Sequence, residues 1–115
     1  MPLISVKTSA PVAEAAGPLL KELSSSLAQL LGKPERYVMT LLHGDVAMTF
    51  AADPAPSCYV EVKSIGALDG DRPRQLSATV SDLIERHLGI PANRTYIGFE
   101  DVPGRLWGWN GSTFG

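Results

Sequence analysis

Apolar residues recur by threes and fours in two stretches of the chain. In the first, Leu19, Leu20, Leu23, Leu27, Leu30 and Leu31 fall on one helical face; in the second, Leu76, Val80, Leu83, Ile84 and Leu88 do the same. Each stretch closes on Leu-Gly-x-Pro, at 31–34 and again at 88–91. Gly32 and Gly89 are therefore predicted as left-handed C-caps, and Pro34 and Pro91 keep either helix from resuming. Period-two patterning marks the strands. Cys58–Lys63 alternates cleanly, and Leu3–Val6, Tyr37–Leu42 and Thr95–Phe99 are further strand-forming runs. Met48–Phe50 is predicted as a short strand returning from a turn at His43-Gly44-Asp45, and Leu106–Trp109 as a last short strand. Asp53–Pro56 is a connecting loop.

Strand, helix, strand thus occurs twice. The pattern predicts one domain over residues 1–115 made of two pseudo-repeats, roughly 1–57 and 58–115. A β-α-β unit needs a crossover, so each half contributes a parallel pair to one mixed sheet. The predicted class is α+β, with two helices on one face of four strands. The other face then lacks a cover, and Ile4, Val6, Val38 and Val60 or their alternating neighbours point to it. An apolar sheet face predicts association through sheet faces or edges. The alternative is a monomer whose own loops close that face.

Composition narrows the chemistry more than the fold. Ten Lys and Arg against 12 Asp and Glu give a net charge of -2, which supplies no electrostatic case for nucleic acid or an anionic membrane. One cysteine, Cys58, excludes an intrachain disulfide framework, and with only His43 and His87 no Cys/His zinc cluster can form. No run approaches the roughly 20 apolar residues of a membrane span. Met-Pro-Leu-Ile-Ser-Val-Lys lacks the basic and apolar regions of a signal peptide, which predicts a cytoplasmic protein.

What remains is a small set of candidates. Removal of Met1 would expose Pro2 as a terminal secondary amine, able to act as a base near neutral pH if burial or nearby cations lower its pKa. Lys33 lies at a helix C-terminus, where a cation is favourable for structural reasons alone. A free backbone N–H at Ser64-Ile65-Gly66 can hold an oxyanion, or simply mark a strand entering a turn. Tyr96, on an apolar strand, has a core position as its plain reading, as Cys58 does. Trp107, Trp109 and Phe114 crowd the C-terminus, where packing or an interface is the default. His43 is expected on the surface and His87 on the polar side of a helix end.

Taken together, Met-Pro-Leu-Ile at the start, Leu-Gly-Lys-Pro at 31–34, Ser-Ile-Gly at 64–66, Tyr-Ile at 96–97 and Gly-Trp-Asn-Gly-Ser-Thr-Phe at 108–114 resemble the macrophage migration inhibitory factor family over the whole chain. The resemblance implies a β-α-β-β-α-β tautomerase fold, assembled as a homotrimer in which strands of neighbouring subunits extend the sheet. It implies active sites at subunit boundaries and no cofactor. Pro2 would be the general base for an aromatic α-keto acid such as phenylpyruvate, with dopachrome-type compounds as further substrates in vitro. Lys33 and the Ile65 N–H would bind the carboxylate or keto oxygen, Tyr96 of a neighbouring subunit would border the pocket, and Trp107, Trp109 and Phe114 would line it. Leaderless secretion and a cytokine-like or interaction role with a vestigial pocket are also family traits, and receptor partners are not legible. Three departures stand out. Ser57-Cys58-Tyr59-Val60 lacks the Cys-x-x-Cys pair of the mammalian member, so its thiol–disulfide chemistry is not expected. Gly98 replaces a family asparagine, and Trp107 a smaller aliphatic residue, which bears on substrate preference.

Overall fold

Strand β1 (Pro2–Thr8) lies inside a sheet ordered β2-β1-β3-β4, in a computed structural model that describes residues 1–115. It runs parallel to β2 (Met39–His43) and antiparallel to β3 (Cys58–Ser64), and β3 runs parallel to β4 (Thr95–Asp101). Helix α1 (Ala16–Leu31) makes the first crossover and α2 (Arg72–Leu88) the second. Both end as the glycine pattern predicts. Gly32 has φ 64°, and the Lys33 N–H donates back to the Ala28 carbonyl at 3.0 Å; Gly89 has φ 71°, and its N–H donates to Glu85 at 2.9 Å. The helices pack side by side. Near the C-terminal end of α2, Arg86 and His87 approach Glu22 of α1 at 3.7 and 3.2 Å. His87 is therefore largely covered, and not simply on the polar side.

Period two decides which side chains meet the helices. Ile4, Val6, Val60 and Val62 are wholly buried beneath Leu19, Leu23 and Leu27 of α1 and Leu76, Val80 and Ile84 of α2. Each such side chain contributes about 1.5–3 kcal/mol by leaving water. Ile4, Val6 and Val60 thus belong to the core, and Val38 packs at its edge. The open face carries their alternating neighbours. Leu3, Ser5 and Lys7 pair with Met39, Leu41 and His43 on one side and with Lys63, Glu61 and Tyr59 on the other. Tyr59, Glu61 and Lys63 in turn oppose Tyr96, Gly98 and Glu100. Apolar Met39, Tyr59 and Tyr96 are all exposed there among charged residues, and none of the chain's helices covers them.

Three predicted strands differ. Met48–Phe50 forms no ladder: Phe50 and Asp53 exchange backbone hydrogen bonds at 3.0 Å around Ala51 and Ala52, both at positive φ. The N–H and carbonyl of Phe50 are thereby used within the turn and do not pair with a strand. Tyr37 is not strand but the end of a 3₁₀ turn over Glu35–Tyr37, because Pro34 presents its carbonyl to the Tyr37 N–H at 3.1 Å. Leu106 likewise closes a 3₁₀ turn, Gly104–Leu106. A two-stranded hairpin follows, β5 (Gly108–Trp109) with β6 (Ser112–Thr113). Asn110 and Gly111 at its tip have φ 52° and 78°, the conformation an Asn-Gly hairpin turn requires.

Candidate active site

A cavity of about 750 Å³ opens where β1 begins. Pro2, buried at the first position of β1, forms part of its floor, with Leu3 and Met39 beside it. Trp107, Trp109 and Phe114 supply an aromatic wall together with Tyr37. The Tyr37 ring meets Trp109 edge-on at 5.6 Å, and Trp109 stacks on Phe114 at 5.8 Å. Backbone bonds hold this wall: the Phe114 N–H donates to the carbonyls of Gly104 at 3.1 Å and Trp107 at 3.2 Å. A Cβ at Gly104 would stand 3.0 Å from the Phe114 carbonyl oxygen, so the close return depends on glycine at that position.

Four of the predicted residues, Pro2, Trp107, Trp109 and Phe114, share this cavity. Lys33 and Ile65 adjoin it without lining it. The Lys33 ammonium donates to the Ile65 carbonyl at 3.0 Å, while the Ile65 N–H has no acceptor within the chain. The strand ends around it are fixed, since the Gly66 N–H donates to Asp101 Oδ1 at 2.8 Å and the Val102 N–H to the Ser64 carbonyl at 2.9 Å. Tyr96 lies elsewhere. It is no core tyrosine but 66% exposed, opposite Tyr59 and 4.9 Å from the Phe50 ring. Pro2 is opposite Ser64, at the other end of β3, so about 17 Å of strand separates the two positions within one chain.

Electrostatics at the floor favour a neutral amine. The terminal amine, that of Met1 in the full-length chain, is held below its usual pKa by burial first and by the positive charge of Lys33 second. Lys63 and Glu100, also on the cavity wall, pair at 3.5 Å. Pattern reading missed the contributions of Arg36, Tyr37, Met39, Val102 and Leu106 to the walls. Tyr37 carried a usable signal, an aromatic residue three positions past the proline that ends the helical segment; Arg36 carried none. Cys58 is buried, and burial pushes its thiol up to about 12. No group of three His, Cys, Asp or Glu side chains able to hold a metal ion is formed, and no helix is long and apolar enough to cross a membrane.

With this geometry in view, comparison with known proteins is direct. The family model for macrophage migration inhibitory factor (MIF) matches residues 1–115. A macrophage migration inhibitory factor homolog from Trichuris trichiura is 38% identical over 99% of this chain and 100% of its own length. Macrophage migration inhibitory factor from Rattus norvegicus is 36% identical over 99% of each chain. Among solved structures, the macrophage migration inhibitory factor homologue from Prochlorococcus marinus is 64% identical and superposes with a TM-score of 0.96, covering 98% of this chain and 99% of that one. The factor from Trichinella spiralis, 31% identical, gives 0.92 over 97% and 99%. The four-stranded mixed sheet, the paired helices and the motifs at both ends of the chain have one explanation: this protein belongs to the macrophage migration inhibitory factor family of the tautomerase superfamily.

Proposed function

We propose that this protein is a keto–enol tautomerase for phenylpyruvate-like α-keto acids, with the amine of Pro2, freed by removal of Met1, as general acid and base. The observation that supports this most is the placement of Pro2 on the floor of an aromatic-walled cavity, next to the Met1 amine that burial and then the Lys33 charge hold below its usual pKa. A neutral secondary amine can accept the enol hydroxyl proton or the α-carbon proton of the keto form, and its ammonium can return a proton at the other atom. The double bond moves and no atom is gained or lost. Charge that develops on the enolate oxygen needs donors, and the Lys33 ammonium with the unpaired Ile65 N–H would supply them. Trp107, Trp109 and Phe114 would hold the substrate ring by stacking and apolar contact.

One chain leaves this site unfinished. Tyr96 is on the half-apolar open face, far along the sheet from Pro2. In a homotrimer joined through that face and its edges, the Tyr96 end of one subunit would border the Pro2 end of another. Such an assembly would also cover Met39, Tyr59 and Tyr96. The test is phenylpyruvate ketonisation by protein confirmed to begin at Pro2, with Pro2→Gly beside it. Activity in the first and loss of at least about a hundredfold in the second are expected. An assembled wild type without activity would end the proposal.

A further inference from the structure

One cation on the cavity wall has no partner. Arg36 lines the mouth and enters no ion pair or hydrogen bond with the rest of the chain. The other charges there are already engaged: Lys63 pairs with Glu100 at 3.5 Å, and Asp101 accepts the Gly66 N–H at 2.8 Å. Arg36 is nevertheless not a freely roaming side chain. Its guanidinium lies over the Tyr37 ring, 4.8 Å from the centroid, and Tyr37 in turn abuts Trp109 at 5.6 Å. A planar, permanently charged fork is thus stacked at the outer end of the aromatic wall, exposed and with no acceptor from the chain.

Its place in the fold sets it apart from Pro2. β1 and β2 are parallel with Leu3 opposite Met39, so Arg36, three positions before Met39, lies beyond the N-terminal end of β1. Pro2 is buried at the start of β1 and Arg36 is exposed, and both line the cavity that Trp107, Trp109 and Phe114 wall, with the Lys33–Ile65 pair adjoining it. A volume of about 750 Å³ also exceeds what a phenylpyruvate-sized molecule fills.

We infer that Arg36 is a specificity-determining residue that selects substrates carrying a second anionic group at the end remote from the keto acid: dianionic α-keto acids, with an aryl or comparable spacer between the two charges. This deepens the tautomerase proposal and rests on it. The second carboxylate forms a charge-assisted, bidentate contact with the guanidinium while the keto acid meets the floor.

The probes are phenylpyruvate and its ring para-carboxylate, assayed for enol–keto exchange with wild type, Arg36→Gln and Arg36→Lys. Arg36 is exposed, and the variants are expected to fold, which circular dichroism checks. In wild type, kcat/KM for the dianion exceeds that for phenylpyruvate by about tenfold or more. Arg36→Gln erases the ratio, chiefly through KM for the dianion, and Arg36→Lys keeps part of it. Raising salt lowers the wild-type ratio. A wild-type ratio near one, or an undiminished ratio in Arg36→Gln, overturns the inference and leaves the tautomerase proposal standing. A wild type inactive on both probes overturns both together.

Discussion

Replacing Arg94 with alanine should loosen the loop between β2 and β3 and lower the stability of the whole sheet. Arg94, just before β4, reaches back across that loop, and its side chain is only 18% exposed. It donates to the carbonyls of Pro56 at 2.9 Å, Asp53 at 3.0 Å and Ala55 at 2.8 Å, and lies 5.4 Å from the centroid of Phe50. The Asp53 carboxylate at 3.9 Å adds little, because it is mostly exposed. Three charged-donor bonds to carbonyls that water can partly reach contribute about 1 kcal/mol each, so alanine should cost about 3 kcal/mol. Arg94→Lys, which cannot fork to three acceptors, should recover about a third of that. Urea unfolding followed by far-ultraviolet circular dichroism, at equal protomer concentration, gives the difference. A loss below about 0.5 kcal/mol in the alanine variant would refute the premise that this guanidinium anchors the loop. The same loop carries Phe50 against Tyr96, so its loosening also bears on the edge that a second copy is proposed to meet.

Lys33→Met should move the acid limb of the kcat/KM profile to higher pH. A nearby positive charge penalises the ammonium form, so its removal lets the amine hold its proton to higher pH and shrinks the range in which the base is neutral. A fall in activity with an unmoved limb would assign Lys33 to substrate binding alone. Cys58, with its thiol raised to about 12 by burial, should resist iodoacetamide at pH 8 in the folded protein and react once guanidinium unfolds it. Labelling of the native protein at the unfolded rate, read by mass spectrometry, would contradict its burial.

Much of the fold is written in spacing. The leucine rows and their Gly-Pro stops predict both helices, because one apolar face and one capping residue suffice to define each. The alternation of Cys58–Lys63 reflects a strand with one face in the core and one face open. The segments read wrongly are those where backbone conformation outweighs side-chain pattern. Nothing in Ala51-Ala52 announces two consecutive positive φ angles, and Pro34 turns the chain through a 3₁₀ segment before β2 can start. Asn110-Gly111 is a hairpin-turn signal, and the apolar run Leu106–Trp109 obscures it because that run spans the end of a 3₁₀ turn and a two-residue strand. The site divides in the same way. Pro2 and the terminal aromatics are found from motifs, whereas Arg36 and Val102 reach the cavity only through the path of the chain in three dimensions.

The proposed chemistry turns on one nitrogen, the amine of Pro2. Protein prepared with Met1 retained has an amide at Pro2 where the processed form has a free amine. Phenylpyruvate ketonisation should be measured on both forms side by side, each verified by intact mass and circular dichroism. The expected result is loss of about a hundredfold or more in kcat/KM in the retained form, with an unchanged spectrum. Equal activity in the two forms would contradict Pro2 as the base.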